Sequence, residues 1–393
     1  MRAVVLAGGP GRNMLPLSED YPKVLLRVVG KPLIDYALSG LERCGIEEYL
    51  VVVSDKRVKY FVEERLGWKA LVVEQSKPEI EGALAAAAEH LKPDEHFVLA
   101  YADIVAPPDM YARLLEVFSV SGCDLALTVV PVLEAETYGI ALIDMETNRV
   151  VDVYEKPEPG TVESMLALGG AYVLSSRVAK EVSDGASLPE ALSAEAKRGS
   201  VAALMWTGTW IDVGYPWDII SAAIEVLKEW RTSRVSARAK VSPTAVIEGP
   251  VVVEEGAVID HYAVIKGPVY VGARAFVGKG AFVREFSSLE EDSIAGAFTE
   301  VKRSSLQPKS SAGSYVLLAD TVLGPGAVVE PGVITMSKLP EEARVKRLPP
   351  LQGMVRKYRK LGAYIAPGAR VSARTLLGPG SLVFRDGTVR RAF

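Results

Sequence analysis

The chain has 393 residues, 49% of them hydrophobic and 24% charged, and a net charge of −4. That length exceeds what one hydrophobic core serves and predicts two domains. The charge gives no general attraction to nucleic acid or to a membrane surface, so neither is expected as a partner. No apolar run approaches the ~20 residues of a bilayer span. Met1-Arg2 runs directly into an apolar stretch, which leaves no room for a signal peptide, so a cytoplasmic location is expected. The two cysteines, Cys44 and Cys123, make neither a disulfide framework nor a zinc site and read as buried thiols. Only two Asn and three Gln occur, and this depletion of thermolabile residues points to a thermophilic source.

The first element is the short apolar run Val4-Val5-Leu6-Ala7, partly β-branched and ended by glycine, which predicts a buried strand. Gly8, Gly9 and Gly11 follow at once, with Pro10 between them. Glycines after a strand let the backbone turn sharply and offer bare N–H groups to an anion. Lys23 follows as a mobile point charge suited to phosphate. From the glycines alone, a tight turn and a nucleotide-phosphate cradle are equally good readings. The spacing is neither that of the P-loop nor that of the Rossmann fingerprint.

Taken whole, residues 3–32 resemble the signature of the sugar-1-phosphate nucleotidyltransferases. The elements of resemblance are Leu6-Ala7-Gly8-Gly9-Pro10-Gly11, Pro16-Leu17, Pro22-Lys23-Val24-Leu25 and Gly30-Lys31-Pro32. The pair that is Thr-Arg in the family falls on Arg12-Asn13. The arginine that the family aims at the triphosphate is therefore an asparagine here, with Arg12 one place early.

Beyond this stretch, residues 32–44 predict a helix with Leu33, Tyr36, Ala37 and Leu41 on one face. Residues 49–53 and 71–74 predict strands, and Gln75 stands just past the second. Residues 80–91 form an alanine-rich helical stretch, and residues 97–100 another strand. Strands alternating with helices argue a parallel, doubly wound, Rossmann-like sheet. In such sheets ligands bind beyond the carboxyl ends of the strands, which would set the glycine loop, Gln75 and Asp103 along one rim. Asp103, at the end of a buried strand, is either a helix N-cap or a metal ligand. In residues 150–157 the default for adjacent Glu155 and Lys156 is a surface ion pair. Asp212, before Gly214, could be a simple turn residue.

The family resemblance adds roles to these positions. It makes Asp103 a metal ligand, although the glycine that precedes it in the family is Ala102. It makes Asp212 the second ligand, in the intact Trp210-Ile211-Asp212-Val213-Gly214-Tyr215-Pro216. Two aspartates suffice because Mg²⁺ prefers few carboxylates plus substrate phosphate oxygens. The resemblance also makes Gln75 the base reader, Glu155 the partner of a sugar hydroxyl and Lys156 that of the sugar phosphate. Gly139, in Tyr138-Gly139, would let the backbone approach the sugar. Two polar family positions are changed: Gly82-Ala83-Leu84 lacks a threonine and Leu168-Gly169-Gly170-Ala171-Tyr172 lacks an asparagine.

Residues 216–231 predict a connecting helix. Then the period becomes six: Val235, Val241, Ile247, Val253, Ile259, Ile265, Val271, Val277, Val283 and Leu289 recur in step. That is the hexapeptide signature of a parallel β-helix, whose flat faces favour self-association. The register is expected to return as Val316, Val322, Val328 and Ile334, and again as Ile365, Val371, Leu377, Val383 and Val389. Its loss over 295–314 would mark an altered turn or an interface. The insertion 336–360 reads as a solvated loop whose Arg344, Lys346, Arg347, Arg356, Lys357, Arg359 and Lys360 could hold an anion. This half resembles the left-handed β-helix acyltransferase domain of bifunctional family members, which commonly form trimers. The catalytic histidine of that domain should precede Ser314-Tyr315, but Ser311-Ala312-Gly313 stands there and no histidine follows His261. Acyl transfer to an amine needs a base near neutrality, so acetyltransferase activity is not expected.

The expected organisation is a nucleotidyltransferase domain over 1–230 and a left-handed β-helix over 231–393, with Mg²⁺ as cofactor and NTP and sugar 1-phosphate as substrates. The resemblance implies Gly8, Gly9 and Gly11 as phosphate cradle, Lys23 and Arg12 on the triphosphate, and Asp103 and Asp212 on the metal. The rival reading is a catalytically weak paralog acting as a regulatory or scaffolding subunit. Asn13, Ala83, Leu168 and Ala312 motivate it.

Overall fold

The computed structural model describes residues 1–75, 77–340 and 360–392. Its chain divides into two compact units, the first of Met1–Pro10 and Leu33–Asp212, the second of Gly11–Pro32 and Val213–Phe393. This division differs from a boundary at 230. The glycine-to-lysine segment leaves the fold in which it starts and groups with the β-helix.

The first unit is built on a nine-stranded sheet. Its order is Ala70–Glu74, Tyr49–Val53, Arg2–Ala7, His96–Tyr101, Leu166–Ser175, Leu125–Pro131, Val201–Met205, Arg149–Glu155 and Gly139–Asp144. The first four are parallel, as the strand–helix alternation predicts. Leu166–Ser175 runs antiparallel to both neighbours, so the far half of the sheet is mixed. Apolar periodicity carries no information about strand direction.

Both faces of the central strands are covered. On Arg2–Ala7, Val4 and Leu6 join the cluster containing Ala83, Leu84, Val178 and Leu192, while Ala3 and Val5 are buried on the other face. The helices are α1 (Leu33–Arg43), α2 (Lys56–Leu66), α3 (Glu79–Ala88), α4 (Pro108–Ser121), α5 (Ser176–Ser183) and α6 (Leu188–Lys197). The side chain of Asp55 caps α2 by accepting from Arg57 N–H, and Ser187 with Glu190 forms a capping box on α6.

In the second unit α7 (Asp218–Leu227) leads into three stacked parallel sheets of short strands. Partners in register stand one coil apart, as Val258 with Phe276 and Phe276 with Ile294. Val253, Ile259, Ile265, Val271, Val277, Val283, Leu289, Ala295 and Val301 fill the interior. The stretch 295–314 is not a break in the coil: its strands pair with both neighbours, and the core residue is simply small at Ala295 and Ala312.

After Val301 the inward positions are Leu306, Ala312, Leu318, Leu323 and Val329, because the corners before Leu306 and Leu323 are each one residue short. The expected register of Val316, Val322, Val328 and Ile334 is therefore corrected. Val316 and Val322 are buried, Val328 is half-buried and Ile334 is 42% exposed. Ile365, Val371, Leu377 and Val383 are inside, but Val389 is 51% exposed on a closing antiparallel strand, Val389–Arg391. At the first coil Val235 is exposed as well.

Arg344, Lys346, Arg347, Arg356, Lys357 and Arg359 lie outside the described residues, while Lys360 is bridged to Lys338. Among the described residues, no helix is long and apolar enough to cross a membrane.

Candidate active site

The parallel strands of the first unit end together. Ala7 is in register with Val53, Val53 with Glu74 and Leu6 with Tyr101, so Gly8, Gln75 and Asp103 emerge at one rim. An open cleft of about 250 Å³ lies there, lined by Gly8, Gly9, Gln75, Asp103 and Asp212 together with Glu79, Tyr138, Leu168, Gly170 and Trp210.

Gly8 is buried because the Gln75 side chain lies against it; a Cβ at residue 8 would stand 2.2 Å from Gln75 Oε1. Gln75 Nε2 donates to Gly8 O at 3.2 Å, and Ser54 Oγ donates to the same oxygen at 2.9 Å. That fixes the amide and leaves Gln75 Oε1, buried and without a donor among the described residues, as an acceptor at the cleft. Gly9 is exposed, and a Cβ there would meet none of the described residues within 4 Å.

The two aspartates meet through a strand pair that neither motif reveals alone. Ile211–Asp212 pairs antiparallel with Ile104–Val105, with Asp212 opposite Ile104 and hence beside Asp103. Both are half-buried. Asp103 therefore closes a tight turn between strands and is not a helix cap. Among the described residues no three His, Cys, Asp or Glu side chains cluster as metal ligands. A cation at this rim would rest on these two carboxylates.

The far wall is apolar and aromatic. Trp210 Nε1 donates to Gly169 O at 2.9 Å, and the Trp210 ring meets Tyr138 edge-on at 5.9 Å. Gly169-Gly170 forms a bulge in Leu166–Ser175, where the register slips between Leu168 and Tyr172. Gly170 has φ 73° and lies so close to Tyr101 and Ile104 that a Cβ would reach 2.9 and 3.0 Å. The bulge brings Leu168 to the cleft.

Gly139 is likewise required small: a Cβ would fall 2.9 Å from Leu168 Cδ1 and 3.3 Å from Glu155 Oε2. Glu155 is in register with Gly139, and Lys156 N–H donates to Tyr138 O at 3.0 Å. Glu155 and Lys156 pair with each other at 3.0 Å, both half-exposed, at the edge of this wall.

Gly11, Arg12 and Lys23 belong to the second unit. Gly11 has φ 62°, and its Cβ position lies 3.3 Å from Lys23 Cβ and 3.2 Å from Ser18 Cβ. Ser18 Oγ donates to Gly11 O at 2.8 Å. Glycine thus lets the two ends of this loop close on each other. Arg12 and Asn13 are both exposed on the short helix Arg12–Met14, and Lys23 opens the next, Lys23–Leu25.

Sequence reasoning missed Glu79, Tyr138 as a wall residue, and Trp210 as the anchor of the bulge. The signal for Glu79 is weak, since its φ of 74° is invisible in the sequence. Trp210 stood in the quoted motif, but its indole partner is a backbone carbonyl.

A mixed sheet with a glycine loop, an amide and two aspartates on one rim defines a nucleotide-handling α/β enzyme, and the chain belongs to the nucleotidyl transferase family, whose model matches residues 2–229. It is 28% identical to a bifunctional sugar-1-phosphate nucleotidylyltransferase/acetyltransferase of Sulfurisphaera tokodaii, with 98% of each chain covered. It is also 28% identical to the bifunctional protein GlmU of Methanocaldococcus jannaschii, over 98% of this chain and 95% of that one. A sucrose-bound structure from Bacillus anthracis matches 56% of this chain and 93% of its own with a TM-score of 0.50 at 24% identity, a likeness of fold.

Proposed function

We propose that the chain joins a nucleoside triphosphate to a sugar 1-phosphate and releases pyrophosphate. A phosphate oxygen of the sugar phosphate attacks the α-phosphorus in line. One O–P bond forms as the bond to the pyrophosphate oxygen breaks, and no group on the protein is consumed. Such chemistry asks the protein for positioning and charge neutralisation. The observation that carries the reading is the pairing of Ile211–Asp212 with Ile104–Val105, which sets Asp212 beside Asp103 on the cleft that Gly8, Gly9 and Gln75 share. The Sulfurisphaera tokodaii relative, which covers 98% of this chain, carries sugar-1-phosphate nucleotidylyltransferase in its name.

In this reading Gly8, Gly9 and Gly11 offer backbone N–H groups to the triphosphate. Lys23 and Arg12 supply positive charge, and Gln75 Oε1 accepts from the base. Glu155 and Lys156 hold the sugar hydroxyl and phosphate beside Gly139. Asp103 and Asp212 would hold Mg²⁺, an ion that prefers oxygen ligands. When bound it would supply neutralisation of phosphate charge.

The β-helix supports self-association, and we assign a trimer in the cytoplasm of a thermophile. In one sheet the outward residues Val246, Val264, Phe282, Leu317, Ile334 and Leu376 form a single column, interrupted by Glu300. A column of this kind is a natural surface for further copies. Acetyl transfer is not assigned: Ala312 is fully buried in the coil, and the exposed His261 is held at a corner by Ser242 and Thr244.

Pyrophosphate release across a panel of nucleoside triphosphates and sugar 1-phosphates tests the reading. Turnover on the scale of ~1 s⁻¹ or above with one pair is expected. Tight nucleotide binding without turnover for any pair would favour the regulatory subunit instead.

A further inference from the structure

The middle of one face of the β-helix is buried. Along that sheet the outward column runs Val252, Tyr270, Ser288, Ser305, Val322 and Tyr364, every member 9% exposed or less. The segment Gly11–Pro32, which carries Arg12 and Lys23, contributes to that cover.

Its attachment is polar and specific. Gln307 takes the backbone of Arg27 in a two-point grip: Arg27 N–H donates to Gln307 Oε1 at 2.8 Å, and Gln307 Nε2 donates to Arg27 O at 2.8 Å. The same Nε2 donates to Ser305 Oγ at 2.8 Å, which fixes the amide. One coil away the fully buried Glu290 accepts from Gly30 N–H at 2.9 Å and from the Ser288 hydroxyl. Arg27 pairs with Glu291 at 3.2 Å. At the other end of the segment Glu19 accepts from Arg385 N–H at 2.9 Å.

A surface loop that needed only to be shielded would not have its backbone read by a buried amide and a buried carboxyl. Hydrogen bonds of this kind fix the position of a backbone, because a shift of an ångström breaks both halves of the grip. We propose that Gln307 and Glu290 are positioning residues for nucleotidyl transfer, acting through the segment that bears Lys23. This rests on the assignment of Lys23 to the triphosphate made above.

The test compares Gln307→Ala, Lys23→Ala and the double variant of the full chain by pyrophosphate release, with thermal melting alongside. Gln307→Ala is expected to lower kcat roughly ten- to hundredfold, the scale of a small misplacement of a reacting group. The KM for sugar 1-phosphate should stay near the parent value, and the melting midpoint should fall only by the few degrees that the loss of buried hydrogen bonds costs. In the Lys23→Ala background the same change should make no further difference, because both act on one interaction. A Gln307→Ala enzyme with parental kcat, or a loss that multiplies in full onto that of Lys23→Ala, overturns the proposal. If Lys23→Ala itself turns over normally, the lysine assignment fails first and takes the proposal with it.

Should Gln307→Ala not fold, Glu290→Gln and Glu290→Ala replace it. Glutamine keeps an acceptor for Gly30 N–H and should retain most of kcat, whereas alanine should not. Equal kcat in the two overturns the proposal. Hydrogen exchange gives a readout independent of catalysis: the amides of Arg27 and Gly30 should exchange faster in Gln307→Ala while those of the coil core do not. Unchanged exchange at both amides also overturns it.

Discussion

Gly8 and Gln75 occupy one volume between them: a methyl group added at residue 8 would lie 2.2 Å from the Gln75 amide oxygen. Gly8→Ala should therefore push Gln75 from the cleft and raise the KM for the nucleotide about tenfold or more, with the larger effect on whichever base the enzyme prefers. Steady-state pyrophosphate release with the base varied reads the effect on this variant.

Asp103 and Asp212 stand side by side only because two short strands pair. Asp103→Asn and Asp212→Asn should each lower kcat by roughly two to three orders of magnitude, the scale of losing a positioned charge. Each should also raise the Mg²⁺ concentration for half activation. An asparagine at either position with an unchanged Mg²⁺ titration would remove that residue from the metal shell.

Burial pushes the Glu290 carboxyl up to about 7 from its ordinary 4.5, against the lowering effects of Ser288, Arg27 and the backbone N–H groups of Gly30 and Val29. Tyr270 stands nearby and is itself pushed up by burial. A carboxyl whose pKa is raised on folding binds its proton more tightly in the folded state. Its favourable contribution is complete below about pH 4.5 and is lost as pH climbs to about 7. The parent should therefore lose melting temperature between pH 5 and pH 8, and Glu290→Gln should lose less over the same interval. Equal slopes for the two would refute it.

Phe298 stacks on Tyr315 at 5.3 Å on one corner of the prism, 49% and 67% exposed. Half-exposed apolar residues also occupy the adjoining sheets, Ile294 on one and Ile334 on the other. Phe298→Asp combined with Ile334→Lys should shift the species seen by light scattering toward the single-chain mass. The melting profile of the nucleotidyltransferase half should be unchanged. A parent that is already monomeric would rule out the trimer.

The alternation of strand and helix, the glycine loop and the period of six were readable because each is a local pattern with a local cause. Gln75 and Asp103 came with them, since a residue just past a parallel strand has only one rim to occupy. The direction of Leu166–Ser175 was not readable, because burial on both faces looks the same in either orientation. Nor was the register after Val301, where two corners, each shortened by one residue, leave Ile334 outward and Thr335 inward. Nothing in the local sequence marks Glu290 and Gln307 as buried. Their partners are backbone groups about 260 and 280 positions away, and no side-chain pattern records them.

The grouping of Gly11–Pro32 with the coil means that order along the polypeptide and order in space disagree about where one machine ends and the next begins. Anyone who grafts this transferase half onto another tail, or clips it free at the last helix, carries the lysine away from its mooring. A chimera would have to exchange residues 11–32 together with the coil that grips them. Relatives that swapped tails during their history would be expected to have swapped both pieces at once.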